Sequence, residues 1–137
     1  MAVPHIPAGL SSFTPYLVVK GADEFAAFVK AAFDGEVTLR VPREDGKVRH
    51  GALKIGETTV EFSDGTDEWK ALPFAAHLFV VDAEASFQRA VAAGATAVSP
   101  VARTHYGEMS GTVLDRWGNY WFVATQVEIV DHGANAG

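Results

Sequence analysis

Residues 106–126 read YGEMSGTVLDRWGNYWFVATQ, which is a strand, a tight turn and a second strand. The turn, Asp115-Arg116-Trp117-Gly118-Asn119, carries the Asp, Gly and Asn that chain reversals favour. In the second strand Tyr120 and Phe122 share one parity, and Trp121 and Val123 the other. Packing against a helix explains Trp121 best, which leaves Phe122 for the opposite face. What each face meets depends on the elements upstream.

Upstream, residues 82–94 (DAEASFQRAVAAG) bring Phe87, Ala90 and Val91 onto one helical face, with Asp82 as N-cap and Gly94 as stop. Residues 74–81 (FAAHLFVV) before this helix and 96–102 (TAVSPVA) after it read as strands, and Pro100 places the latter at an edge or a bulge. Residues 74–126 therefore spell β-α-β-β-β. The same order runs through residues 12–63. A strand at 13–19 (FTPYLVV) leads into a helix at 21–35 (GADEFAAFVKAAFDG), with Phe25, Phe28, Val29, Ala32 and Phe33 inward and Gly35 as the cap. Residues 36–42 (EVTLRVP) alternate, which predicts one buried face made of Val37, Leu39 and Val41. Asp45-Gly46 is a two-residue hairpin signal, and strands at 48–56 and 58–63 follow around Gly56-Glu57.

The two halves match at an offset of 61 residues: Leu17-Val18-Val19 corresponds to Leu78-Phe79-Val80, and Val60-Glu61-Phe62 to Trp121-Phe122-Val123. The expected organisation is one α+β domain over residues 12–126, made of module 12–63 and module 74–126. An acidic linker spans 64–73, an N-terminal arm 1–11, and a polar tail 127–137 that is expected to fray.

Composition narrows the function classes. The 137 residues are 48% hydrophobic and 20% charged, as suits a domain with a core, and the formal net charge of -6 argues against nucleic acid and anionic membrane as partners. There is no cysteine, so disulfides, thiolate zinc sites and cysteine nucleophiles are excluded. The first twenty residues lack a signal-peptide pattern, and no apolar run reaches the roughly 20 residues of a membrane helix, so a cytoplasmic location is expected. GxSxG, GxxxxGK[ST], GxGxxG and HExxH do not occur.

The doubled β-α-β-β-β pattern resembles the vicinal oxygen chelate superfamily of glyoxalase I, bleomycin-resistance proteins and extradiol dioxygenases. The resemblance runs from Ser12 to Gln126. Its wording is closest to the small PhnB-like branch in residues 14–36, 45–64, 77–96 and 106–125. It implies two modules forming a U-shaped curved mixed sheet around a pocket, helices on the convex side, and paired subunits. It also implies metal ligands at four positions, which fall here on Thr14, Ala75, Glu61 and Phe122. Alanine and phenylalanine have no donor and a threonine hydroxyl is a feeble one, so only Glu61 survives. A single carboxylate does not make a tight divalent site, and no cofactor is expected.

Strand parity then sorts the pocket residues. Thr14, Tyr16, Ala75, His77, Phe79, Ser110, Tyr120 and Phe122 fall on the face of Glu61, as does His50, and Trp69 of the linker is placed to cover the pocket or a subunit contact. Such an aromatic, largely apolar wall with few polar groups suits a small organic ligand. Two functions compete. One is a metal-independent binding protein of the bleomycin-resistance kind. The other is an isomerase, lyase or dioxygenase-type enzyme using Glu61 and His50 as acid and base, or a relocated metal on His50, Glu61 and His77. For Glu61 the rival role is a rim carboxylate satisfied by water, Arg40 or Lys54. For His50 and His77 it is a histidine satisfied within the wall. Unpaired strand edges and the outward Phe13, Pro15 and Leu17 predict a homodimer.

Overall fold

The computed structural model describes residues 2–131. It has ten elements in the order β-α-β-β-β-β-α-β-β-β. In the first unit these are β1 (Tyr16–Val19), α1 (Ala22–Phe33), β2 (Glu36–Pro42), β3 (Val48–Ile55) and β4 (Thr58–Asp64). In the second they are β5 (Ala75–Phe79), α2 (Ala83–Ala92), β6 (Thr96–Arg103), β7 (Glu108–Leu114) and β8 (Tyr120–Gln126). The chain divides into compact units Met1–Phe74 and Ala75–Gly137. Each holds one four-stranded mixed sheet, ordered β1-β4-β3-β2 and β5-β8-β7-β6. In each, the first strand runs parallel to the last and the other pairings are antiparallel. The fold is α+β, as the doubled pattern predicts.

Each helix buries the stripe that its periodicity marks. Phe25, Val29 and Ala32 of α1 are fully buried against their own sheet, where Leu53 and Phe62 meet them from the strands. Removing a Phe-sized side chain from water stabilises the fold by about 1.5–3 kcal/mol. Phe62 fits because it lies opposite Gly51, where a β-carbon would stand 2.5 Å from the Phe62 ring. In the second unit Phe87, Ala90, Val113, Trp121 and Val123 are buried, while Val91 is only half-buried.

Two buried carboxylates organise the backbone. Asp64, the last residue of β4, accepts from the amides of Gly21 (3.0 Å), Ala22 (2.9 Å) and Val48 (2.7 Å). It thereby caps α1, whose N-cap residue Gly21 has no side chain to do so. The corresponding position 61 residues on is Thr125, whose hydroxyl accepts from the Ala83 amide at the start of α2 and donates to the Val80 carbonyl. Asp82 also caps α2 through the Ala85 amide. Asp115 accepts from the Trp117 and Asn119 amides, the Asn119 side chain and the Trp121 indole. The turn that opens the hairpin at 106–126 is thus closed by its own buried acid.

Several sequence expectations shift. Strand β1 starts at Tyr16 instead of Phe13, because the Thr14 hydroxyl binds back to Ser11 and holds residues 11–14 in a turn. Asp34, not Gly35, takes the left-handed conformation that ends α1 (φ 58°). Gly35 is needed for space instead, since a β-carbon there would lie 2.5 Å from Cγ1 of Val29. The Asp45-Gly46 hairpin has a three-residue loop, Glu44-Asp45-Gly46, closed by the Arg43 amide on the Lys47 carbonyl. Asp64 belongs to β4 and not to the linker, which instead folds back so that the Leu72 amide reaches the Val18 carbonyl.

The single buried face predicted for β2 is absent. Val37, Leu39 and Val41 are each 39–45% exposed. A bulge between Val37 and Leu39 pairs Val37 with buried Leu53, but Leu39 with Ala52 and Val41 with His50. One inserted residue reverses the parity of everything after it. Arg40 consequently turns toward the helix and forms a two-pronged bond with Asp23 of α1 (2.9 and 2.7 Å). Strand β6 is likewise an irregular edge strand with register shifts around Ser99, as Pro100 implies. The end of the tail, residues 132–137, lies outside the described residues. Val127 and Glu128 before it bond to the Gly107 carbonyl.

Candidate functional site

In the first unit β1, β3 and β4 bring Tyr16, His50 and Glu61 together on one face. Tyr16 lies opposite Glu61 in the parallel pair, and Ala52, two residues from His50, lies opposite Glu61 in the antiparallel pair. Nε2 of His50 is 3.2 Å from Oε2 of Glu61, and Nδ1 is 3.4 Å from the Tyr16 hydroxyl, with the two rings stacked at 5.8 Å. The carboxylate can only accept, so a proton on Nε2 would face Glu61, and the ring then presents Nδ1 to the Tyr16 hydroxyl. The imidazole thus has a polar neighbour at each nitrogen. Such a ring can recognise a ligand or pass a proton. Glu61 takes His50 as its partner, while Arg40 is committed to Asp23.

This pair forms part of the wall of a cavity of about 750 Å³. Leu39, Ala52, Lys54 and Thr59 contribute from the sheet, and Pro7–Leu10 of the N-terminal arm close one side through a turn from the Leu10 amide to the Pro7 carbonyl. Leu39 and the arm were not legible as pocket wall. Tyr16 and Trp69 instead line a second cavity of about 470 Å³ in the same unit. Thr14 is spent on its turn with Ser11 and lines neither cavity.

The second unit carries a comparable face. His77 stands opposite Phe122 on β8, its ring stacks on Phe79 at 4.4 Å, and it meets Phe122 edge-on at 6.2 Å. Phe79, Tyr120 and Phe122 are 58%, 44% and 38% exposed, an apolar surface with a polar centre. That centre is His77 Nε2, 3.0 Å from Oε1 of Glu108. Glu108 was missed in the sequence, although its parity on β7 with Ser110 and Thr112 marks it for this face. Ala75 pairs with Tyr120 at the strand start, and Ser110 with Ala124.

Among the described residues no three His, Cys, Asp or Glu side chains gather into a group that could hold a metal ion. Of the residues of the alternative ligand set, His50 and Glu61 lie in the first unit and His77 in the second. His50 and Glu61 make a pair, and His77 pairs with Glu108 of its own unit. Thr14, Ala75 and Phe122 also leave the superfamily's metal positions without strong donors.

The comparisons agree with this fold. The sequence pattern of the Glyoxalase/Bleomycin resistance protein/Dioxygenase superfamily matches residues 9–123. An uncharacterized protein of Mycobacterium bovis is 35% identical over 131 residues, covering 88% of this chain and 86% of its own. Among solved structures, TioX from a Micromonospora species superposes with a TM-score of 0.72 at 23% identity, covering 85% of this chain and 99% of that one. The PhnB protein of Bacillus cereus superposes with a TM-score of 0.67 at 17% identity, covering 84% and 99%. The chain belongs to the Glyoxalase/Bleomycin resistance protein/Dioxygenase superfamily.

Proposed function

We propose that the chain binds a small organic molecule, without a metal or other cofactor, in the cytoplasm and as a homodimer. The observation that carries the reading is the His50–Glu61 pair in the wall of the 750 Å³ cavity, a volume within the range of small-ligand sites. Ala52, Leu39 and the Pro7–Leu10 turn supply apolar contact, and the pair supplies polar and charged atoms in the wall. The exposed His77, Phe79 and Phe122 cluster is a second surface suited to a flat, apolar ligand.

A second reading follows from the same pair. A histidine beside a carboxylate in a cavity wall is a candidate general base, so Glu61 and His50 could catalyse an isomerase or lyase step on the bound molecule. One experiment separates the two. Metabolite extract is passed over the EDTA-treated protein, the retained compound is identified by mass spectrometry, and it is then incubated with wild type, Glu61→Gln and His50→Gln. Under the binding reading the compound is recovered unchanged, and each variant weakens affinity about tenfold, the worth of one good polar contact. Conversion of the compound by wild type but not by the variants would establish the enzyme. Retention lost on EDTA treatment would overturn metal independence.

A further inference from the structure

The second cavity of the first unit does not include His50 or Glu61 and has a different character. Arg43 and Arg49 line it together with Tyr16, Trp69, Ser63 and Thr66. Arg43, in the loop after β2, has a mostly buried side chain, 18% exposed, and its Nε is buried without a hydrogen-bond partner. The nearest acid, Asp45, stands 3.5 Å away, well beyond the roughly 2.7–2.9 Å of a charge-assisted hydrogen bond. Arg49 forms no ion pair or side-chain hydrogen bond among the described residues. A buried guanidinium N–H left unmatched costs free energy that an arriving acceptor recovers.

The carboxylate in the same wall, Asp64, keeps its charge but makes no hydrogen bond to either guanidinium. Both oxygens of Asp64 are occupied by the three backbone amides of Gly21, Ala22 and Val48, and the N-terminus of α1 lies behind it. Arg49, without an ion pair among the described residues, and Arg43, held only by the 3.5 Å contact with Asp45, therefore line a space of about 470 Å³ beside two aromatic rings and two hydroxyls. Guanidinium forks recognise carboxylates and phosphates, and indole and phenol rings take up a flat apolar body.

We infer that this cavity is a binding site for a small aromatic anion, its carboxylate or phosphate held by Arg43 and Arg49 and its ring by Trp69 and Tyr16. The inference goes beyond the reading of the His50–Glu61 cavity and stands on different residues except Tyr16, whose hydroxyl meets His50 while its ring lines this cavity.

The test uses the full chain labelled with nitrogen-15, following the Arg43 Nε–H and the Trp69 indole N–H by NMR. The probes are benzoate, phenyl phosphate, benzamide and inorganic phosphate. Benzoate or phenyl phosphate should shift both signals in a saturable manner, and neutral benzamide should bind at least about tenfold more weakly, since it lacks the charge. Stronger binding of benzoate assigns a carboxylate, and stronger binding of phenyl phosphate a phosphate ester. Arg49→Gln, at an exposed position, should weaken the preferred anion about tenfold, and Arg43→Lys should weaken it less than Arg43→Gln because one charge remains. Benzamide binding as tightly as benzoate, inorganic phosphate matching phenyl phosphate, or an Arg49→Gln titration unchanged from wild type would each overturn the proposal. So would the absence of any shift up to about 10 mM of either aromatic anion, where even a weak contact saturates.

Discussion

Replacing Asp64 by alanine tests whether one buried carboxylate ties α1, β3 and β4 together. The substitution strips the acceptor from three amides. Those of Ala22 and Val48 are in buried bonds, and that of Gly21 is half-buried and within reach of water. An amide orphaned in the interior costs about 1–3 kcal/mol, so two of them cost about 2–6 kcal/mol. Loss of a negative charge at the start of α1 adds about 0.5–1 kcal/mol. The central expectation is about 4 kcal/mol, a large share of the stability of any domain of this size. In a chain of this length that lowers Tm by about 12–16 °C. Asp64→Asn should cost roughly half as much, because its remaining oxygen can still serve Gly21 and Ala22 while its amide group meets the Val48 N–H donor to donor. Thr125→Val, the matching position in the second unit, should cost only about 1 kcal/mol, since one hydroxyl and one amide are affected. Urea unfolding of the three variants gives the order directly. An Asp64→Ala loss below about 1 kcal/mol, or equal losses for alanine and asparagine, would refute the capping argument.

Three further expectations follow from the fold. Gly51→Ala should cost about 1–3 kcal/mol through contact with the Phe62 ring, and Phe62→Leu in the same chain should recover part of it; thermal melts of the single and double variants check this. Asp23 is held below its ordinary carboxylate value of 3.8, chiefly by its hydrogen bond from Arg40, so the pair stabilises the fold at neutral pH and the benefit disappears as pH falls through that depressed value. Because Asp23 is 57% exposed, Asp23→Asn should cost only about 0.5 kcal/mol at pH 7, with the gap to wild type closing below about pH 4 in a urea series. The exposed valines and leucine of edge strand β2, with Val98 on β6, leave apolar surface open, and light scattering should return a mass of about twice 14.6 kDa; a monomer across micromolar concentrations would refute the dimer.

The duplication was legible because it is written in the repeat of apolar positions, and each helix stripe and strand core must repeat if two sheets are each to bury one face. What could not be read depends on single residues that break a period. Nothing in EVTLRVP announces the bulge at Thr38, yet that one residue moves Leu39 from the expected core to the cavity wall and sends Arg40 to Asp23. The N-terminal arm has no period at all, so its place beside His50 was hidden, although Gly9 with its left-handed φ of 84° is the kind of residue that a turn there requires. Asp64 and Glu108 are a different case. Both were recoverable, the first by asking what sits 61 residues before Thr125 at the mouth of a helix whose N-cap is glycine, the second by extending the face of Ser110 by one pleat. They were passed over because an acid next to a turn reads as solvated surface. The structure reverses that reading on physical grounds. A carboxylate stays buried only where donors converge on it, and in this chain the donors are three backbone amides for Asp64 and the imidazole of His77 for Glu108. The same rule gives Arg43 its significance, since its buried Nε lacks a hydrogen bond and meets Asp45 only at 3.5 Å. The acids of the first unit explain its architecture, and the unmatched arginine points to what the architecture can receive.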